Sequence, residues 1–204
     1  MPIATDHVAI RALIESWVIW RDAGKWEKFA TLWHDDGWMS ATWFQASASE
    51  FIVGAQAGFD KGVIALHNLG GSTIEIVGER AVAHTQMQIV QRGAIDDVAV
   101  DVECRGRFLD AWSKEAGRWQ LVYRQPVYEL DRMVPVNPGA TIDLDDALLA
   151  QFPIGYRHLA YLQSKQGFSV SPSLPGTRGP EIADLEQRLE SWLDGAAHQM
   201  LRRG

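Results

Sequence analysis

"STIEIVGERAVAHTQMQIVQRG", residues 72–93, is where the period of the chain changes. Before it, apolar residues recur at helical intervals. Within it they alternate, and "VGERA" breaks the run at Gly78, whose backbone freedom suits a tight turn, so the stretch reads as two antiparallel strands. A second pair follows: "DDVAVDVECRGRFLDAW" (96–112) and "RWQLVYRQPVYELDRM" (118–133), joined around "SKEAGR" with Gly117 in the turn. Helices first and consecutive strands afterwards imply an α+β chain rather than a parallel βαβ design. The sheet must curl over the helices, since one open face would leave too many apolar side chains wet.

Upstream, Thr5 or Asp6 is placed to cap a first helix with Val8, Leu13, Ile14, Trp17 and Val18 on one stripe and Gly24 as its stop. "KWEKFATLWHDDGW" (25–38) reads as a short second helix with Trp26, Phe29, Leu32 and Trp33 inward, ended by Gly37. "WMSATWF" is then a first strand and "ASEFIVGAQAGFDKG" (48–62) a third helix, and Val63 to His67 leads into the extended region.

Past Val136 the composition shifts to linker-like "VPVNPGATIDLDD", a mixed helix and loop in "LLAQFPIGYRHLAYLQSKQG", and breaker-rich "SVSPSLPGTRGP". The last helix opens with Pro180 and Glu181 and gathers Ile182, Leu185, Leu189, Trp192 and Leu193 on one face, with Gly195 after it. That face needs a partner, either the main domain or a neighbouring subunit. The expected division is a main domain over 1–136 and an extension over 137–204.

The 204 residues suffice for one substantial core. A net charge of −7 and a pI near 5.3 argue against a nucleic-acid partner, which draws its affinity from clustered Lys and Arg. No leader-like start and no long apolar run is present, so a cytoplasmic protein with no membrane partner is expected. The single cysteine, Cys104, fits a reducing compartment and reads as a buried strand residue. Nine tryptophans suit an apolar cavity or an interface as well as a core.

Asp22 falls in the last turn of the first helix, where the dipole disfavours an exposed negative charge by about 0.3–1 kcal/mol. On its own it is a solvated charge screened by Arg21 or Lys25, and His67 is a loop or satisfied core residue. His84 shares a strand face with Val82, Gln86 and Gln88, directed either to a cavity or to solvent. The alternation around Arg124 leaves its direction open, and Trp38 and Trp43 serve equally as cavity walls or core. "HDD" at His34 to Asp36 points its side chains apart and makes a poor metal site.

Taken in order, "IESWVIWRDAGKWEKFATLWHDDGW", "TIEIVGERAVAHTQMQI" and "GRFLDAWSKEAGRWQLVYRQPVYELDRM" resemble the SnoaL-like branch of the nuclear transport factor two-like superfamily from about Ile10 to Met133. "GYRHLAYLQ" and the final helix are similar to the long tail of one subset of it. The resemblance implies a cone-shaped α+β barrel, a curled antiparallel sheet closed by N-terminal helices around a deep apolar pocket. In dehydratase and dehydrohalogenase members, an Asp ending the first helix pairs with a His just before the central hairpin; here those places hold Asp22 and His67. The implied catalytic residues are therefore Asp22 and His67, with Trp17, Trp38, His84 and Arg124 as candidate substrate contacts. Trp17 stands where related dehydratases carry a Tyr hydroxyl, and an indole cannot replace that acid.

The implied activity is that of a lyase or isomerase without metal or organic cofactor, acting on a hydrophobic, cyclic small molecule. The alternative from the same resemblance is a non-catalytic ligand-binding or assembly protein, akin to the small subunits of ring-hydroxylating dioxygenases. A homo-oligomer, dimer or trimer, is expected by the same analogy.

Overall fold

The computed structural model describes residues 2–202. Helices α1 (Pro2–Asp22) and α2 (Trp26–Ala30) precede strands β1 (Trp33–Ser40) and β2 (Gln45–Ser47), and α3 (Ala48–Asp60) leads to four long strands. These are β3 (Ile64–Val77), β4 (Arg80–Ile95), β5 (Val98–Glu115) and β6 (Arg118–Pro135). The strand order is β2-β1-β6-β5-β4-β3; β1 runs parallel to β6 and every other neighbouring pair is antiparallel. The sheet is curled, with free edges at β2 and β3, and the helices close its concave side.

Tight turns fix the meander. Asp96 and Asp97 (φ 46° and 68°) link β4 to β5, and Ala116 and Gly117 (φ 48° and 80°) link β5 to β6, both pairs in the left-handed region that two-residue hairpins favour. Register shifts at Leu69/Ser72, Arg105/Gly106 and Ala111/Trp112 bend the long strands. At the second of these a side chain on Gly106 would put its Cβ 2.0 Å from the Val127 carbonyl oxygen, so only glycine allows the approach.

Three local expectations change. The first helix begins by Pro2, so Thr5 and Asp6 lie within it; Asp6 instead binds Lys114 Nζ at 2.8 Å and Trp119 Nε1 at 2.9 Å. Its buried stripe is Ile10, Ile14, Trp17 and Val18, while Val8 points to solvent. The second helix stops at Ala30, and Trp33 to Gly37 join β1, because pairing of Trp33 with Leu121 on β6 satisfies backbone groups that a longer helix would have left at the sheet margin.

The tail adds α4 (Asp146–Leu149), α5 (Arg157–Lys165), α6 (Pro180–Leu193) and a 3₁₀ turn at His198–Arg202. Asp131 on β6 anchors α5: its buried carboxylate accepts the backbone N–H groups of His158 (2.6 Å) and Leu159 (2.9 Å) and the His158 ring Nδ1 (2.8 Å). This satisfies orphan donors in the helix's first turn and places negative charge at its positive pole. Leu159 and Leu162 are fully buried in the main core on the concave side.

Helix α6 covers the opposite face. Ile182, Leu185, Leu189 and Trp192 pack on Val82, Leu109, Ala111, Val122 and Val127 in a second apolar cluster. Arg80 closes its C-terminal end, donating to the carbonyls of Trp192 (2.7 Å) and Ala196 (2.6 Å) with its guanidinium 4.1 Å from the Trp192 ring. The amphipathic tail thus spends its apolar face on its own sheet, and the sequence argument for a neighbouring subunit at that face falls away. Replacing Trp192 by alanine is expected to lower unfolding free energy by about 3–5 kcal/mol in a urea titration; a change below about 1 kcal/mol would mean that α6 merely rests on the sheet.

Candidate active site

The concave face of the sheet, the end of α1, α3 and α5 enclose an apolar cavity of about 230 Å³. Inward alternation on β4 brings Met87, Ile89 and Gln91 to it, β5 gives Phe108, β6 gives Pro126 and Tyr128, and α3 gives Phe51 and Ala55. Its volume exceeds the roughly 150 Å³ of an apolar cavity able to take up benzene.

Asp22 is the final residue of α1, and Gly24 turns the chain away with φ 65°. Gly24 N–H reaches the Arg21 carbonyl and Lys25 N–H the Trp20 carbonyl, closing the helix. Asp22 is thereby fixed beside β3, where one carboxylate oxygen accepts from His67 Nδ1 at 2.8 Å and the other from His67 backbone N–H at 2.6 Å. Arg21 Nη1 lies 3.2 Å from the first oxygen and donates to the Ala65 carbonyl at 2.8 Å. Two successive residues of α1 therefore clamp Ala65 to His67 of the edge strand.

The protonation states follow. Burial pushes the Asp22 carboxyl up, but the His67 ring and backbone donors and the Arg21 charge outweigh it and leave it below the usual carboxylate range. Burial pushes the His67 imidazole down; the Asp22 contact opposes this without prevailing, and the charges of Arg21 and Arg124 push it further down. At neutral pH the pair is thus a carboxylate and a neutral imidazole. An ionised carboxylate only accepts, so the ring proton sits on Nδ1 and the lone pair on Nε2. That nitrogen has no hydrogen-bond partner among the described residues, and His67 lines the cavity.

Trp17 also lines the cavity, with its ring edge-on to His67 at 5.6 Å. Arg124 does not reach the cavity. Its guanidinium is completely buried, 4.4 Å from the Trp17 ring and 4.2 Å from the Phe108 ring, and Asp110 binds Nε at 2.7 Å and Nη2 at 2.6 Å. Its charge acts on His67 from behind an aromatic wall. Trp38 and His84 likewise lie outside the cavity lining. Trp38 packs with the second cluster beside Arg202, 5.3 Å from its ring, and His84 shares the outward parity of Val82, facing Arg107 and Glu186. The physical reason for His84 is that the opposite parity of β4, Ala81 through Gln91, carries the small and apolar residues that fill the concave side. Of Trp38 and Trp43, only Trp43 lines the cavity. Cys104 is fully buried, and burial pushes its thiol well up, as for an inert strand residue.

Sequence reasoning missed the far wall, where Thr42, Gln91, Tyr128 and Gln163 sit among apolar neighbours. Gln91 was legible by parity with Ile89. Gln163, Leu159 and Phe168 come from the tail and carried no signal for their place. Removing the Asp110 charge should expose the cost of this packing. Asp110→Asn is expected to lose about 3–5 kcal/mol in urea unfolding, because it strands the Arg124 charge, and Asp110→Leu/Arg124→Met to regain most of it. An unperturbed single variant would contradict the buried pair.

A SnoaL-like domain model matches residues 2–125. Pea pathogenicity protein 2 of Fusarium vanettenii is 34% identical over 204 residues, covering 95% of this chain and 88% of the relative. A hexachlorocyclohexane dehydrochlorinase structure superposes with a TM-score of 0.57 at 12% identity, over 70% of this chain and 96% of that one. A candidate scytalone dehydratase from Novosphingobium aromaticivorans gives 0.55 at 17% identity, over 69% and 97%. At such identities the structural likeness is one of fold. With the family model spanning more than half its length and a curled α+β sheet closed by helices, the chain belongs to the SnoaL-like family.

Proposed function

We propose that the protein is a lyase or isomerase that moves a proton from carbon, with His67 as general base and acid and Asp22 as its orienting partner. The observation carrying this reading is the 2.8 Å contact between Asp22 and His67 Nδ1 at the wall of an apolar cavity. A substrate C–H bond directed at Nε2 gives its proton to that nitrogen, and its electron pair forms the new carbon–carbon double bond. A leaving hydroxide or halide departs with its own pair, or, in an isomerisation, the proton returns at another carbon. The imidazolium formed in between is stabilised by the adjacent carboxylate. Hydroxide departs as water by collecting that proton. Proton and leaving group are lost together, or the proton is returned, so the step is redox-neutral and requires no oxidant or reductant.

The likeness in fold to a dehydrochlorinase and to a candidate dehydratase supports this class of chemistry. A substrate that is small, hydrophobic and cyclic fits the size and lining of the cavity. Trp17 offers an N–H but no ionisable acid, so this reading assigns the proton transfer to His67 and not to Trp17.

The test is a turnover screen of cyclic alcohols, halides and β,γ-unsaturated ketones with three proteins. His67→Ala is expected to abolish elimination or isomerisation, and Asp22→Asn to reduce kcat by about 10²–10⁴-fold with KM little changed. Equal rates for wild type and His67→Ala would remove the imidazole from the reaction.

A further inference from the structure

The cavity has a second polar region that proton abstraction does not use. Along the sheet from the dyad, the Thr42 hydroxyl donates to Gln163 Oε1 at 2.7 Å, Gln163 Nε2 to Gln91 Oε1 at 3.1 Å, and Gln91 Nε2 to Gln166 Oε1 at 2.8 Å. Thr42, Gln91 and Gln163 are each at least 97% buried and all three line the cavity. Tyr128 lies beside Thr42 on the same wall, and its burial pushes the phenol up, so it stays protonated and able to donate. An amide nitrogen carries two protons, and those of Gln91 and Gln163 each have one acceptor among the described residues. A second N–H on each is left over beside a cavity whose lining is mostly apolar.

The strand register sets the spacing. His67 pairs with Ile89 and Ala65 with Gln91, so the glutamine stands two residues, roughly 7 Å, along the sheet from the imidazole. Charge decides what it can hold. Arg21 is the one Lys or Arg lining the cavity among the described residues, and it is committed to Asp22 and Ala65. An anion at the far wall would be buried without a counter-charge, within the field of the Asp22 carboxylate. A neutral acceptor there takes the spare N–H groups and removes an unsatisfied-donor cost from the protein itself.

Building on the proposed chemistry, we infer that Gln163 and Gln91 are specificity-determining residues that receive an uncharged oxygen, a carbonyl above all, on a hydrophobic substrate roughly 7 Å from the carbon deprotonated at His67. Through α5 the tail supplies half of this contact, so the extension is part of the binding site and not only a cover for it.

Binding of three probes of one ring skeleton tests this: 1-indanone, indane and indane-1-carboxylate, followed by quenching of the cavity tryptophans or by calorimetry. The wild type is expected to bind 1-indanone at least as tightly as indane, although the ketone surrenders hydrogen bonds to water, and the carboxylate at least about tenfold more weakly than either. Gln163→Met, and independently Gln91→Met, should shift the ratio of the two neutral affinities about tenfold towards indane. Preference of the wild type for indane, comparable binding of the carboxylate, failure to bind either neutral probe, or a ratio unmoved by both variants would overturn the inference. The wild-type ratio needs no variant to fold. Repeating it in His67→Ala separates the two claims: loss of the dyad reading leaves the ketone preference in place, whereas loss of the far-wall reading flattens the ratio while turnover still depends on His67.

Discussion

A carboxylate at the C-terminal end of a helix faces that helix's negative pole, and Asp22 is kept ionised there by the His67 ring, the His67 backbone N–H and the Arg21 guanidinium. The arrangement ties α1 to the edge strand β3 and selects the tautomer of an otherwise buried imidazole. Stability and the proposed chemistry thus draw on one contact. Without it β3 would lose its anchor at His67, and the imidazole would be free to turn and present either nitrogen.

The same device occurs a second time. Asp131 accepts from the ring Nδ1 and the backbone N–H of His158, with nearly the same distances, and adds the N–H of Leu159. There the result is architectural: α5 is seated over the concave face and carries Leu159 and Gln163 into the cavity wall. Meanwhile α6 covers the convex side. The extension therefore wraps a sheet that alone would leave both a cavity and an apolar outer face open. Beyond α6 that face carries the ion pairs Arg92–Asp101 and Arg132–Glu103 beside the exposed Leu130 and Val134 of β6.

Much of this is legible in the sequence because it rests on local rules. The switch to alternation at Ser72, the turn glycines at 78 and 117, and the capping of α3 by Ser47 with Glu50 are each decided within a few residues. Asp22 and His67 can be named together only through the family resemblance, since periodicity by itself leaves one a solvated charge and the other a loop or core residue. Tertiary competition defeats the local reading elsewhere. Trp33 to Gly37 has the residues of a helix end but is claimed by pairing with β6. The alternation around Arg124 leaves its direction open; it points inward, but Asp110 and two aromatic rings take it before the cavity can. Gln163 lies more than seventy positions from Gln91 and was beyond any periodicity.

Burial gives the imidazole its chemical character, since desolvation holds it neutral despite a carboxylate at hydrogen-bond distance. Below about pH 6.5 the unfolded chain takes up a proton at this histidine that the folded chain declines, so the pair also makes the fold less stable in acid. Nitrogen-15 NMR of labelled His67 across pH 4 to 9 reads this state directly. The account predicts a proton on Nδ1, a free lone pair on Nε2 and a midpoint below 6.5. A proton resident on Nε2, or titration at or above 6.5, would contradict it.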